Sequence, residues 1–363
     1  MALLCIAPPL VEPVALSELK MMLRMDPSDT SQDDVISTLA VSARAMCETV
    51  TQRRFVQQTW SMYMDFFPGY IDLKLAGQRV SSPFVSGSNA VLVGIRYAVV
   101  LPYPPVQQLE SFIYQNANGE VTSMIVGPTT ISGVTNTTGQ PVSIYTAQPH
   151  GLGSGSSVTI AGNSPLLSLL GAATWDITVT DPNDFTLNNS VGTGTSIASG
   201  GTVTGLNFVS DLQSQPARLM PLFGQMWPVA RVVANAVQMT YTVGYATPFT
   251  VAVSGTSITG TFSGIAVGQP ISIPGAGVAG GTLNTIIEAW TTGTITTRDA
   301  PSTNISSTTA LIVNNGIPAH WEMIRAAIKV LVNGWYTGRL PNDPKVTRQW
   351  LDWQLAAVKD WRL

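Results

Sequence analysis

The chain has 363 residues, of which 45% are hydrophobic and only 11% are charged, and its formal net charge is −3. The charged share is about half that of a typical soluble protein, which indicates a surface largely covered by other protein. The slightly negative balance argues against a general grip on nucleic acid. The length predicts two or three domains with enough chain to bury a core.

The first residues and the two cysteines bear on the cellular compartment. Cys5 and Cys47 lie in separate segments at a spacing that suits neither a metal site nor a redox pair. The start MALLCIA lacks the basic region of a signal peptide, and bulky Leu4 disfavours a lipoprotein signal. Arg96 interrupts the most apolar run, which therefore falls short of the roughly 18 residues of a membrane span. We expect a reduced protein that folds in a cytoplasm and has no membrane partner.

An amphipathic helix is the strongest early signal in the chain. After an extended arm (1–13) and a short predicted helix (15–24), apolar side chains recur at helical spacing over residues 31–52. The predicted buried stripe consists of Val35, Ile36, Leu39, Ala43, Met46 and Val50. The predicted solvated face consists of Asp34, Ser37, Ser42, Arg44, Glu48 and Gln52.

From Gln57 the hydrophobic period changes to two, which predicts a half-buried strand that ends near Phe66. A further strand is predicted over residues 70–75. Residues 106–114 and 120–126 then flank a turn that ends in Asn118-Gly119, a pattern typical of a β-hairpin. Another alternating strand is predicted over residues 235–245.

Two charge-poor stretches, 131–205 and 246–315, interrupt this sequence. Both are rich in Gly, Ser and Thr, and the first contains no Lys or Arg. Short β-type runs recur in each, so we interpret them as all-β modules inserted into loops of an older domain. The predicted organisation is a core over 1–130, an inserted module over 131–205, core strands over 206–245, a second inserted module over 246–315, and terminal helices over 316–363.

Two helices are predicted at the C-terminal end. The first begins at Pro318 and ends near Gly338. Its apolar stripe consists of Trp321, Ile324, Ile328, Leu331 and Trp335. The second begins after Pro344 and runs to Leu363. Its stripe consists of Val346, Trp350, Trp353, Ala357 and Trp361, and a neighbouring face carries Leu351, Leu355 and Val358. Together these patterns predict an α+β fold: a helical bundle core from both chain ends, with a central β-region and two inserted all-β domains.

The sequence offers little for catalysis or metal binding. His150 and His320 are the only histidines, and they are 170 residues apart, in different predicted domains. The acids Asp176, Asp181 and Asp184 do not have the spacing of an EF-hand loop. Because no convincing pair of carboxylates is present either, we expect no enzymatic activity, no metal site and no cofactor.

An ordered set of segments resembles the head–tail connector (adaptor) proteins of tailed double-stranded DNA bacteriophages. The segments are PVALSELKMMLRMD (13–26), ETVTQRRFVQQTWSMYMDFFP (48–68), LPYPPVQQLESFIY (101–114), NFVSDLQSQPARLMPLFGQMWP (207–228), NAVQMTYTVGY (235–245) and GIPAHWEMIRAAIKVLVNGWYTGR (316–339). The charge-poor stretches are separately similar to β-modules of phage structural proteins, through QPHGLGSGSSVTIAG (148–162), DPNDFTL (181–187) and TSITGTFSGIAVGQPISIPGAGVAGGT (256–282).

The resemblance implies a homo-oligomeric ring, usually of twelve copies, in the neck of the virion between head and tail. Such a ring binds beneath the portal protein, contacts tail or neck proteins, and extends the channel through which DNA leaves. DNA would pass through the lumen without specific binding. The protein would be made in the cytoplasm of the host bacterium.

The last helix is the candidate contact surface. Exposed tryptophans are over-represented at interface hot spots, and in the connector family the C-terminal region commonly reaches the portal. We therefore predict a portal or inter-subunit interface that comprises Trp350, Trp353, Trp361, Val346, Leu363 and Arg339. The competing interpretation is that these tryptophans complete the core of the protomer itself.

A different class of function also fits the β-modules. A tail-fibre or receptor-binding protein would use them to bind a glycan on the host surface. Fibres are usually elongated trimers, so the shape of the particle, a ring with a hole or a rod, distinguishes the two hypotheses.

Overall fold

The computed structural model describes residues 1–26, 28–68, 98–194, 200–245, 247–312, 318–338 and 344–355. Its helices are α1 (Leu16–Met22), α2 (Asp33–Thr51), α3 (Pro165–Leu170), α4 (Pro318–Tyr336) and α5 (Pro344–Gln354). Its first strands are β1 (Ala2–Ala7), β2 (Gln58–Met64), β3 (Val99–Leu101), β4 (Val106–Gln115) and β5 (Val121–Ser123). The strand predicted over residues 70–75 lies outside the described residues.

The remaining strands follow in two runs. The first run is β6 (Ile125–Thr135), β7 (Ser143–Thr146), β8 (Ser157–Ala161), β9 (Thr174–Asp181), β10 (Asp184–Leu187), β11 (Thr202–Leu206), β12 (Val209–Asp211), β13 (Ala217–Met220) and β14 (Val237–Val243). The second run is β15 (Thr247–Ser254), β16 (Ser257–Gly260), β17 (Pro270–Ile273), β18 (Leu283–Trp290), β19 (Thr294–Thr297) and β20 (Ile305–Ile312).

The protein is mostly β, with 39% of its residues in strands and 19% in helices. The predicted α+β fold with a helical bundle core is therefore wrong. Only five short helices occur among the described residues, and the dominant architecture is a pair of closed six-stranded barrels. The prediction gave too much weight to the strong helical periodicity at the two chain ends, because short polar strands leave a weaker pattern in the sequence.

The first barrel closes in the order β10-β7-β6-β11-β8-β9, with antiparallel neighbours. Its interior is an apolar cluster of its own, in which Ile144, Ile177 and Phe185 are fully buried. The barrel begins at Ile125, before the predicted module boundary at 131. It also contains α3, which the all-β prediction missed although Ser164 caps it by accepting the N–H of Leu167 at 3.2 Å.

The second barrel closes in the order β15-β16-β19-β18-β17-β20 and spans residues 247–312. Its strands β15 and β20 pair antiparallel along most of their length, from Thr247 opposite Ile312 to Val253 opposite Ile305. Ile258, Ile271 and Ile287 are fully buried inside it. Each charge-poor stretch thus forms a closed sheet around its own core, which removes the exposed edges that a short open sheet would have.

Two smaller sheets complete the described strands. One has the order β1-β2-β14-β4-β5 and the other the order β12-β13-β3. The predicted hairpin is present as β4 and β5, with Gly119 at φ +87° in its turn. The chain divides into two compact units, the first of residues 1–4, 61–101 and 109–241, and the second of residues 5–60, 102–108 and 242–363.

In the second unit, α1, α2, α4 and α5 share one apolar cluster. Helix α2 forms where it was predicted, and Ile36, Ala43 and Val50 of the predicted stripe are buried. Val35 is 48% exposed, however, so the buried face of α2 is rotated from the predicted one. The members of this apolar cluster on the other helices include Ile324, Ile328 and Leu331 of α4 and Leu351 of α5.

Candidate functional site

A buried ion pair joins α1 to α4 within the second unit. One nitrogen of the Arg325 guanidinium donates to both carboxylate oxygens of Glu18, at 2.6 and 2.7 Å, and Lys329 donates to the same carboxylate at 3.2 Å. Burial alone would raise the pKa of Glu18, but the two cations outweigh it and hold that pKa below its usual value. Residues from the two chain ends are therefore connected by charge as well as by apolar contact.

A second polar network surrounds α2 and overturns part of the prediction. Arg44 and Glu48, expected on the solvated face, are both buried. The Glu48 carboxylate accepts from Arg44 at 2.8 Å, from the backbone N–H of Phe55 at 3.0 Å and from Gln58 at 3.0 Å. Arg44 also donates to Glu12 at 2.8 Å. Glu48 thus fixes the segment that leaves α2, a role that helical spacing alone does not indicate.

Helix α5 buries the face next to its predicted aromatic stripe. Leu351 and Leu355, on the neighbouring face, are fully buried, whereas Trp350 is half-buried and packs against the rim of the cluster. Val346 and Trp353 lie on α5, but the structure does not describe their side chains. Arg339, Trp361 and Leu363 lie outside the described residues. The interface proposed for these six residues stays a prediction.

His150 has a structural role, because both of its ring nitrogens contact the backbone. Its Nδ1 accepts the backbone N–H of Leu152 at 3.0 Å, and its Nε2 lies 3.1 Å from the carbonyl oxygen of Asp181. The ring also contacts Phe185 edge-on. Both ring nitrogens therefore hold the backbone of a barrel loop. The side chain of His320 is not described.

The described residues show neither a cluster of metal-binding side chains nor a helix that could span a membrane. They contain no group of three His, Cys, Asp or Glu residues that could hold a metal ion. Within the same ranges, no helix is long and apolar enough to cross a membrane. The thiol of Cys47 is buried on α2, and this burial raises its pKa to about 12.

An uncharged loop, residues 221–230, lies in the first unit, and none of its residues is among the predicted contact residues. Trp227 anchors this loop by stacking on Phe67, with ring centroids 5.0 Å apart and planes 9° from parallel. Phe112 lies edge-on to the same indole at 5.8 Å. These buried rings fix the base of the loop within an aromatic cluster.

The tip of that loop presents apolar side chains to solvent. The N–H of Gln225 donates to the carbonyl of Leu222 at 2.9 Å, and Gly224 has φ +75°, which together define a tight turn. Phe223, at the tip, is 100% exposed, and Met226 is 76% exposed. The segment PLFGQMWP combines a glycine turn, no charge and large apolar side chains, so its sequence already carries the signal of an exposed contact loop.

A polar cavity of about 440 Å³ lies on the first unit beside the first barrel. Its polar lining consists of Ser157, Thr159, Thr174, Asp176, Thr204 and Ser210. Leu206 and Phe208 add apolar surface. A cavity with many hydroxyls, one carboxylate and an apolar patch suits a small polyhydroxylated ligand.

No protein-family model matches the chain, and no curated protein matches it either.

Proposed function

We propose that this protein is a structural component of a phage virion, a ring that joins the portal vertex to the tail and extends the DNA channel. The proposal rests on one observation: the segments that resemble connector proteins form helices and strands that lie outside both closed barrels. Segments 13–26, 48–68 and 101–114 contain α1, the end of α2, β2 and most of β4, and none of these elements belongs to a closed barrel. The same holds for β12 and β13 of segment 207–228, for β14 and for α4.

The two barrels also support this interpretation, because each has the features of a separate insertion. Each has its own apolar interior, and each is built from one continuous stretch of chain. Such modules fit the idea that a connector chain acquired additions in its loops. The resemblance therefore concerns the part of the chain that the barrels do not include.

The composition supports a role in assembly rather than in DNA binding. Only 11% of the residues are charged, and the formal net charge is −3. A ring with few cations gives phosphates little to bind, so DNA would slide through the lumen. No catalytic step is part of this proposal.

Electron microscopy of the full chain mixed with its cognate portal tests the proposal. Negative-stain images should show a closed ring with a central hole, attached coaxially to the portal. Copies that attach singly or form rods would overturn it. The full chain without portal serves as the control for rings that form alone.

A receptor-binding protein is the second candidate, and the hydroxyl-lined cavity beside the first barrel is the observation that favours it. On this hypothesis the particle is a rod, and Asp176 with its neighbouring hydroxyls holds a host glycan. Glycan-array binding by the wild type that is lost in Asp176→Ala, together with a rod-shaped particle, would favour this function over the ring.

A further inference from the structure

The exposed loop tip is rigidly presented. Leu222 is buried beside Phe223, and the Gln225 side chain donates to the carbonyl of Ser154 at 3.4 Å. Trp227 fixes the other end of the turn through its stack on Phe67. The turn that carries Phe223 is therefore preformed, so little backbone conformational entropy remains to be lost when Phe223 binds.

The second unit contains an apolar recess of about 260 Å³. Val14, Leu19 and Ala40 form its buried floor. Leu10, 58% exposed, and Val41, 44% exposed, stand at its rim. An engineered apolar cavity of about 150 Å³ is known to hold a benzene ring, so this recess has room for a phenylalanine side chain and part of a second residue.

We propose that Phe223 of one copy of this chain inserts into the Val14–Leu19–Ala40 recess of a second copy. The contact joins two different surfaces, so it is heterologous and can repeat from copy to copy until a ring closes. It therefore deepens the proposed ring function, on which it rests, by naming the contact between neighbouring subunits.

The near absence of charge on both surfaces favours a second copy of this chain as the occupant. Residues 221–230 carry no charge. Glu12 is the one charged residue that lines the recess among the described residues, and Arg44 donates to its carboxylate at 2.8 Å. Neither surface would bury an uncompensated charge when they meet, which is the usual penalty in a mismatched interface. A charged partner would gain nothing from either surface.

Disulfide trapping in the full chain tests the contact directly. In a Cys5→Ser background, Phe223→Cys and Val41→Cys together should give a ladder of cross-linked species on oxidation of portal-bound particles. Each single variant can give at most a dimer. A ladder in the double variant alone supports the proposal, and its absence from particles that are visibly ring-shaped overturns it.

Two matched pairs of substitutions give an independent readout. Phe223→Asp should weaken ring assembly at least about 10-fold, whereas Leu169→Asp, at another exposed apolar site (65%), should not. On α2, Val41→Glu should weaken assembly, whereas Val35→Glu, which lies outside the recess, should not. Equal assembly of Phe223→Asp and wild type would overturn the contact.

The two hypotheses fail in different ways. Rings on the portal without cross-linking leave the connector function intact and remove only the Phe223 contact. A cross-linked ladder in rod-shaped particles removes the connector function, because the copies then join without closing around a channel.

Discussion

One guanidinium nitrogen of Arg325 lies 2.6 and 2.7 Å from the two carboxylate oxygens of Glu18, although the residues are 307 apart in the sequence. The side chains are 8% and 13% exposed, so water screens the pair weakly. Arg325 also donates to Glu322 at 2.9 Å, but that glutamate is 69% exposed. One arginine thus makes a buried and an exposed ion pair within the same unit.

Replacing Glu18 should destabilise the protein far more than replacing Glu322. Glu18→Gln leaves the buried guanidinium without its main counter-charge, and we expect the free energy of unfolding to fall by about 3 kcal/mol. Glu322→Gln, the matched control, should cost less than about 0.5 kcal/mol because its ion pair is solvated. Urea unfolding followed by circular dichroism at a helical wavelength measures both. Equal losses in the two variants would contradict the assignment.

The same carboxylate should make stability depend on pH. The pKa of Glu18 is lower in the folded protein than in the unfolded chain, so its stabilising effect is present above the unfolded pKa of about 4.3 and is lost as pH falls through the lower folded value. The stability difference between wild type and Glu18→Gln should therefore be largest near pH 7 and shrink below pH 4. A difference that stays constant over this range would show that charge is not its cause.

Neighbouring residues on α5 should separate folding from portal binding. Leu351 is fully buried, so Leu351→Ala should lower the free energy of unfolding by about 3 kcal/mol. Replacing the half-buried Trp350 with Ala should lower the free energy of unfolding by less than this. If Trp350 is a contact residue, the same change should weaken portal binding by about 10-fold or more. The exposed Gln349→Ala is the control. Unchanged portal affinity in a folded Trp350→Ala protein would favour the core interpretation.

The first barrel should be removable at one defined junction. The N–H of Asn207 donates to the carbonyl of Met124 at 2.9 Å, so the chain enters and leaves the barrel at adjacent points. Replacing residues 125–206 with Asn-Gly, a favoured hairpin turn, should leave a soluble protein. Its helical circular dichroism signal should persist, because α1, α2, α4 and α5 lie outside the removed segment.

The removed segment provides the complementary control. Residues 124–207 expressed alone should give a folded β-protein, since the barrel is closed and has its own core. Loss of the helical signal in the excised chain, together with an unfolded fragment, would contradict the idea that the barrel is an independent insertion.

Local pattern accounted for much of the secondary structure. The period of 3.6 located α2 and α4, Asn118-Gly119 located the turn between β4 and β5, and alternation located β14. The prediction missed β18 and β20, although each has eight residues. β20 (ISSTTALI) consists largely of Ser and Thr, and β18 (LNTIIEAW) has adjacent apolar residues, so both show a weaker alternation than β2 with its aromatic and methionine residues.

The candidate contact residues show the same limit. The aromatic composition of α5 predicted a contact with another molecule, which stays a prediction, whereas the burial of Leu351 and Leu355 on the neighbouring face became visible only in the structure. Phe223 was visible in the sequence as an apolar residue in a glycine turn, yet only its complete exposure makes it a candidate contact. The sequence shows that a side chain is apolar, whereas its exposure in the folded protein decides whether another molecule can reach it.

Local sequence located α2, α4, β14 and the turn between β4 and β5, because turn chemistry and hydrophobic period act between residues a few positions apart. The tertiary structure alone decided that twelve strands close into two barrels and that Arg44 and Glu48 become buried. Strand closure pairs β10 with β7, and β15 with β20 across more than fifty residues. The burial of Arg44 likewise depends on Glu12, 32 residues away. Such partners are chosen by packing in space, which no local pattern encodes.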